Sequence, residues 1–198
     1  MAQPRRKFQR FLGERRYKKM FIIAVEGIKT EPRYFAVFNN QDSVIWVKCL
    51  RGNHGGSPPQ VLRLMKNYLQ QQGIKPSDEA WLVADKDQWT DNQLKQLYDW
   101  SQRSANYGFA LSNPQFEYWL LLHFEDGAGL SSKREMLDKL NRYLPSYDKG
   151  IDTPQFTRDR IEEAIRRARL RDDPPCVDWP RKPWATTVYK LVANILGI

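Results

Sequence analysis

Two hydrophobic rhythms alternate along this chain: short continuous apolar runs, and stripes repeating every three to four residues. Met20–Val25 (MFIIAV) is a branched apolar run ending at Glu26-Gly27, which predicts a strand buried on both faces. Thr30 stands where a helix cap belongs, with Glu31 and Pro32 in the first turn and Tyr34, Phe35 and Phe38 forming an apolar stripe. Val44–Leu50 (VIWVKCL) is a second strand, and the loop RGNHGG (51–56) follows it. Ser57 with Pro58 and Pro59 opens a helix whose Val61, Leu62, Met65, Tyr68 and Leu69 share one face, closed by Gly73. Ala80–Ala84 (AWLVA) is a third buried strand running directly into Asp85-Lys86-Asp87, and Thr90 caps the helix carrying Leu94, Leu97 and Tyr98. Tyr107–Leu111 makes a fourth strand, and Asn113-Pro114 starts an almost wholly apolar helix reaching Phe124.

Parallel neighbours need a crossover of about a dozen residues, which a helix supplies, so four strand–helix alternations predict a Rossmann-like α/β core with a four-stranded parallel sheet flanked by helices. After Gly127 the pattern is helical throughout: 132–143, 157–170 and a last helix from about Trp184 to Leu196, with connections at 145–154 and 172–183. A single domain over 20–198 is expected, with its core at about 20–126 and a helical extension at about 127–198.

Charge changes this picture at the N-terminus. The net charge is +9, but residues 1–19 hold eight Lys or Arg against Glu14 alone, whereas residues 21–150 carry fifteen of each sign. The body is balanced and the excess is mostly a basic arm, 1–19. Such an arm is either a solubilising tail or a sequence-independent contact to nucleic-acid phosphate, through Arg5, Arg6, Lys7, Arg15 and Arg16. The last turn of the 157–170 helix, Arg166 to Arg171, has no nearby acid before Asp172 and is a second candidate for the same contact, through Arg166 and Arg167, although a solvated face with internal ion pairs to Asp159, Glu162 and Glu163 is the default for such a helix. No apolar run approaches the ~20 residues that span a bilayer, and the basic arm lacks a signal-like apolar run, which predicts a cytoplasmic protein without a membrane partner. Cys49 and Cys176 stand alone, so neither a disulfide framework nor a zinc site is expected.

The candidate chemistry lies at strand ends, because ligands in open parallel sheets bind outside the carboxyl ends of the strands. Glu26 ends the first strand, Asp85 and Asp87 the third, and Asn113 follows the fourth with Glu117 shortly after. In extended chain Asp85 and Asp87 face the same way, so their oxygens can meet over one cation. Hard oxygen donors suit magnesium or manganese, which keep waters and accept a substrate phosphate beside one or two carboxylates. A lone D-x-D is also common as a solvated turn, and Glu26 is also readable as a plain polar strand end.

A strand ending in Glu-Gly with a later strand ending in D-x-D resembles the Toprim fold. The segments FQRFLGERRYKKMFIIAVEGIKTEPRYF, WLVADKDQW, LSNPQFEYWLLLHF and TTVYKLV resemble the RloB-like family over nearly the whole chain. The resemblance implies a Toprim-like sheet, a divalent metal (Mg²⁺ or Mn²⁺), acid/base work for Glu26, metal binding by Asp85 and Asp87, and a nuclease or related phosphodiester-processing role tied to restriction, phage defence and abortive infection. Its partners are then DNA or RNA and a companion defence protein. Two rivals stay open: a nucleic-acid- or partner-binding module of the same fold without chemistry, and a nucleotide sensor or metal-dependent phosphatase.

Supporting candidates are Glu117, Asn113, Lys29 in the EGIKTE turn as a phosphate contact, and His54 as a proton carrier. The 51–56 loop lacks the Gly-Lys-Ser/Thr of a P-loop. Lys86 reads as a structural ion-pair partner, His123 as a satisfied core histidine, and Trp89 as the one tryptophan near the acids.

Overall fold

A computed structural model describes residues 19–39, 44–52, 56–87, 89–145, 151 and 153–198. The first β-α units form as the pattern predicts: β1 (Lys19–Val25), α1 (Thr30–Ala36), β2 (Ile45–Leu50), α2 (Pro58–Gln72), β3 (Glu79–Asp85), α3 (Asp91–Ser101) and β4 (Tyr107–Asn113). There follow α4 (Phe116–Leu121), α5 (Lys133–Tyr143), α6 (Arg158–Arg171), the two-residue β5 (Ala185–Thr186) and α7 (Val188–Leu196). The sheet order is β2-β1-β3-β4-β5, with the first four strands parallel and β5 antiparallel to β4.

β1, β3 and β4 are apolar on both faces because both faces are covered, whereas β2 at the edge leaves Trp46 and Lys48 exposed. Phe21, Ile23 and Val25 of β1 and Val83 of β3 join one core layer with residues of α1 and α4 to α7. Ile22 and Ala24, with Ala80, Leu82 and Ala84, join the other with α2 and α3. The alternation is the period-2 consequence of the pleat, and it explains why the runs read as continuous rather than alternating. Gly108 sits opposite Trp81 in register, and an added Cβ there would lie 2.4 Å from the indole, so the glycine is what lets that ring lie across β4.

Caps close the helices as expected at α2 and α3. The Gln60 side chain accepts from the Ser57 N–H (2.7 Å), and Thr90 and Gln93 exchange side-chain and backbone bonds. α1 differs: Thr30 is its first helical residue rather than its cap, and Lys29 holds the cap position without a side-chain bond. The turn is closed instead by the Glu31 carboxylate, which accepts from the Gly27 N–H at 2.8 Å.

The C-terminal region departs most from the sequence reading. β4 runs on to Asn113, two residues past the expected end, because Ser112 and Asn113 pair with Thr186 and Ala185. The helix expected from Asn113-Pro114 therefore begins only at Phe116, and the chain beyond Leu121 tightens into turns. The helix expected from Trp184 begins at Val188, since Trp184–Thr187 is spent on the β4 edge: Trp184 N–H donates to Asn113 O (2.7 Å) and Thr187 N–H to Leu111 O (2.9 Å). A two-residue strand has no period to betray it. Lys19, counted with the basic arm, is the first residue of β1, its Nζ 2.6 Å from Glu79. Arg5, Arg6, Lys7, Arg15, Arg16 and His54 lie outside the described residues.

Candidate metal centre

The carboxyl ends of β1 and β3 are adjacent because Val25 and Val83 are register partners, so Glu26 and Asp85 meet although 59 residues separate them. The Asp85 N–H reaches Glu26 Oε2 at 3.3 Å, and the Trp89 indole N–H donates to Glu26 Oε1 at 2.9 Å. Trp89 thus acts as a brace for the glutamate. Its own loop is tied by Trp89 N–H to Lys86 O (2.9 Å) and by Lys86 Nζ to Trp89 O (2.7 Å) and Asp91 (3.1 Å), the structural role expected of Lys86.

Two further acids complete the cluster. Glu117 comes from the first turn of α4, and Glu31 from the first turn of α1; with Glu26 and Asp85 they line one cleft of ≈ 260 Å³, walled by Gly27, Gly56 and Phe116. Glu31 is the residue the sequence reading did not assign to the site. Its signal was present, an acid five positions after Glu26 across a glycine turn, but a first-turn glutamate is ordinarily a favourable helix-dipole residue. Gly27 is what admits it: a Cβ there would sit 2.1 Å from Glu31 Oε2.

Electrostatics favour the protonated form of three of these carboxyls. Burial, with added repulsion from Glu117 and Glu26, pushes the Glu31 carboxyl up to about 7, and Glu31 is only 5% exposed. Burial together with Glu31, Glu117 and Glu26 raises Asp85 well above the carboxylate range, partly offset by the Phe116 N–H. Burial raises Glu26 as well, against the lowering effect of the bonds from Asp85 and Trp89. Among the described residues no Lys or Arg lies within ion-pair distance of Glu26, Glu31 or Asp85. Hard oxygen donors that resist ionising together are the donor set a divalent cation of the magnesium type takes. Among the described residues, no three acid, thiol or imidazole groups are yet gathered closely enough to ligate one ion.

The other sequence candidates fall elsewhere. Asp87 does not extend the strand beside Asp85: β3 ends at Asp85, Asp87 turns at φ +26° with its N–H on Pro114 O, and its carboxylate is ion-paired with Lys133. The same-side geometry expected of an extended D-x-D is therefore replaced by a turn. Asn113 spends its amide on Pro180 O (3.2 Å) and Arg181 O (3.1 Å), fastening the C-terminal segment. Lys29 is exposed at the start of α1. Arg166 and Arg167 are both paired with Glu163 (2.7 and 2.9 Å), correcting the expectation that their turn lacks a nearby acid; the acid lies one turn back, within i,i+3 and i,i+4 reach. His123 is buried, its Nδ1 facing Trp119 O (3.0 Å) and its Nε2 the Tyr34 hydroxyl (3.1 Å), a core residue as expected. Two larger hollows, ≈ 310 Å³ beside α6 and ≈ 370 Å³ under the 171–185 segment, are lined largely by apolar groups, with Arg166 and Arg181 ion-paired at their walls, and neither includes Glu26, Glu31, Asp85 or Glu117.

An open α/β sheet with helices on both faces and acids gathered beyond its carboxyl edge is a ligand-binding architecture, and it is compatible with the Toprim-like fold. The chain belongs to the RloB-like family: the family model described as RloB-like protein matches residues 21–195. No curated protein and no solved structure matches the chain. Among the described residues no helix is long and apolar enough to cross a membrane.

Proposed function

We propose that this protein is a magnesium- or manganese-dependent phosphodiesterase acting on nucleic acid, a nuclease of the RloB-like family serving phage defence. The observation that carries the reading is the convergence of Glu26, Glu31, Asp85 and Glu117 on one cleft, where burial raises the proton affinity of Glu26, Glu31 and Asp85 and neighbouring carboxylates raise that of Glu31 and Asp85 further. Asp85, Glu31 and Glu117 are the residues that would hold the ion. Glu26, oriented by Trp89 and the Asp85 N–H, is the residue placed to move a proton at the reacting oxygen. A divalent ion in such a site polarises the phosphoryl oxygen and lowers the pKa of a bound water. Asp87 serves a second role, holding the α5 end through Lys133. The link to restriction and phage-defence loci and to a companion defence protein rests on the family resemblance.

The test is hydrolysis of labelled DNA and RNA strands with Mg²⁺ or Mn²⁺ by the full chain and by Asp85→Asn. Loss of more than about 100-fold in rate with an unchanged circular dichroism spectrum is the expected result, since even outer partners of a metal site cost 10- to 100-fold. Equal rates in both proteins, or no hydrolysis under any divalent metal, would sink the reading. One observation favours a binding module without chemistry, namely that among the described residues no three donors stand in ligating geometry. Strand binding that is indifferent to divalent ions and to Asp85→Asn would select it, and turnover of mononucleotides but not polymers would select a phosphatase.

A further inference from the structure

We infer that Arg51 and Lys29 form a phosphate-binding rim beside the acidic cleft, gripping the sugar-phosphate backbone of a polynucleotide. This rests on the nucleic-acid reading of the cleft.

The register of β1 and β2 pairs Ala24 with Leu50, so Arg51 emerges level with Val25, one residue before Glu26, at the edge where the acids gather. Its Nη1 donates to Ile28 O at 2.8 Å, in the turn that joins Glu26 to Glu31. The loop that begins with Arg51 returns to the same place, where the Gly56 N–H donates to Glu26 O at 2.8 Å. Lys29 follows Ile28 directly and holds the cap position of α1. Both side chains are exposed.

What sets them apart is their place at the acidic edge of the sheet, together with the lack of an ion pair there. Lys19, Lys86, Lys95, Lys133, Lys139, Arg166 and Arg181 each sit within ion-pair distance of an acid. Arg51 and Lys29 have no ion pair among the described residues, although four carboxylates lie at the same sheet edge. A carbonyl anchor fixes the guanidinium without neutralising it and leaves most of its five donors in the planar fork that matches a phosphate. A polyanion entering a cleft of carboxylates meets repulsion, and fixed cations on the flank offset it at the phosphates on either side of the reacting one. Contacts of this kind set position and register rather than sequence.

The experiment is the salt dependence of binding by the full chain to short fluorescein-labelled single strands of DNA and of RNA, followed by anisotropy in EDTA. It compares the parent with Arg51→Ala/Lys29→Ala, in the natural background and in Asp85→Asn, where the cleft carries one acid fewer. Each single-strand phosphate contact contributes about 0.7 to the slope of log K against log salt, so the double variant should lower the slope by about 1.4 in the Asp85→Asn background. Arg51→Lys/Lys29→Arg, which keeps both charges, should restore the slope. An unchanged slope in both backgrounds overturns the inference. If the slope falls as expected while the parent hydrolyses no strand under any divalent metal, the rim stands and the enzyme reading fails.

Discussion

Glu31 and Glu163 are the same side chain in opposite circumstances. Glu31, buried beside three other acids, is pushed up to about 7, whereas Glu163, on the open face of α6 with Arg166 and Arg167 beside it, is held at about 2. The α6 face looks like the stronger nucleic-acid surface in sequence, with its run of arginines, yet Arg158, Arg166 and Arg167 are ion-paired within the helix. The cleft is the reverse: among the described residues no Lys or Arg is ion-paired with Glu26, Glu31 or Asp85. Function is to be sought where charge is left uncompensated at a cost, because such an arrangement persists only when something outside the chain completes it.

The largest expected effect that sharpens this contrast is on stability. A carboxyl raised from 4.5 to about 7 in the folded chain is fully favourable below about pH 4.5. Folding stability then falls as pH rises toward 7, because the unfolded chain gives up that proton first. The loss above pH 7 is on the order of 3 kcal/mol, at about 1.4 kcal/mol per pH unit of displacement. Denaturant melts at pH 5 and pH 8 should show this fall in the parent and little of it in Glu31→Gln. Magnesium at pH 8 should recover stability in the parent and not in Asp85→Asn. A parent equally stable at both pH values breaks the comparison.

Gly27→Ala comes next. The new Cβ would meet Glu31 Oε2 at 2.1 Å, so the carboxylate must leave its bond to the Gly27 N–H. Overpacking of this kind costs about 1–3 kcal/mol. Mn²⁺ affinity, read by electron paramagnetic resonance, should fall at least about tenfold, and retention of parent affinity would show that Glu31 is not part of the site.

Trp89→Phe keeps an aromatic ring but removes the indole N–H from Glu26, a bond to a charged acceptor worth about 1.5–3 kcal/mol when that acceptor is ionised. The expected result is a loss of up to about tenfold in Mn²⁺ affinity, with kcat reduced more than KM changes. The smallest effect belongs to the control region: Glu163→Gln removes the acid shared by two arginines on an open face, and exposed pairs contribute about 1 kcal/mol or less. It should leave hydrolysis unchanged and shift the thermal midpoint only slightly. A large loss of activity there would move the centre of interest from the cleft to α6.

The alternation of buried runs and amphipathic stripes was legible because it reports burial directly: β1, β3 and β4 are apolar on both faces because helices cover both, whereas β2 at the sheet edge exposes Trp46 and Lys48. Glu26 and Asp85 were legible for the same reason, being polar residues that end a wholly apolar strand. Their neighbours were not. Glu31 hid as an ordinary first-turn acid, and Asp87 looked like a partner of Asp85 until the chain turned beyond the strand and its carboxylate met Lys133. β5 and the late start of α7 were invisible because two residues carry no period, and their position depends on Ser112 and Asn113, 74 and 72 residues away along the chain.

Local pattern, in short segments, therefore determined the layers of this protein, the order of its elements and the strand ends at which chemistry can stand. Only the folded arrangement decided which acids share a cleft, which are neutralised, and which cations remain unpaired. The physical reason is range: burial periodicity is written within a few residues, whereas proton affinity and ion pairing depend on charges brought within a few ångströms by strand register and helix packing.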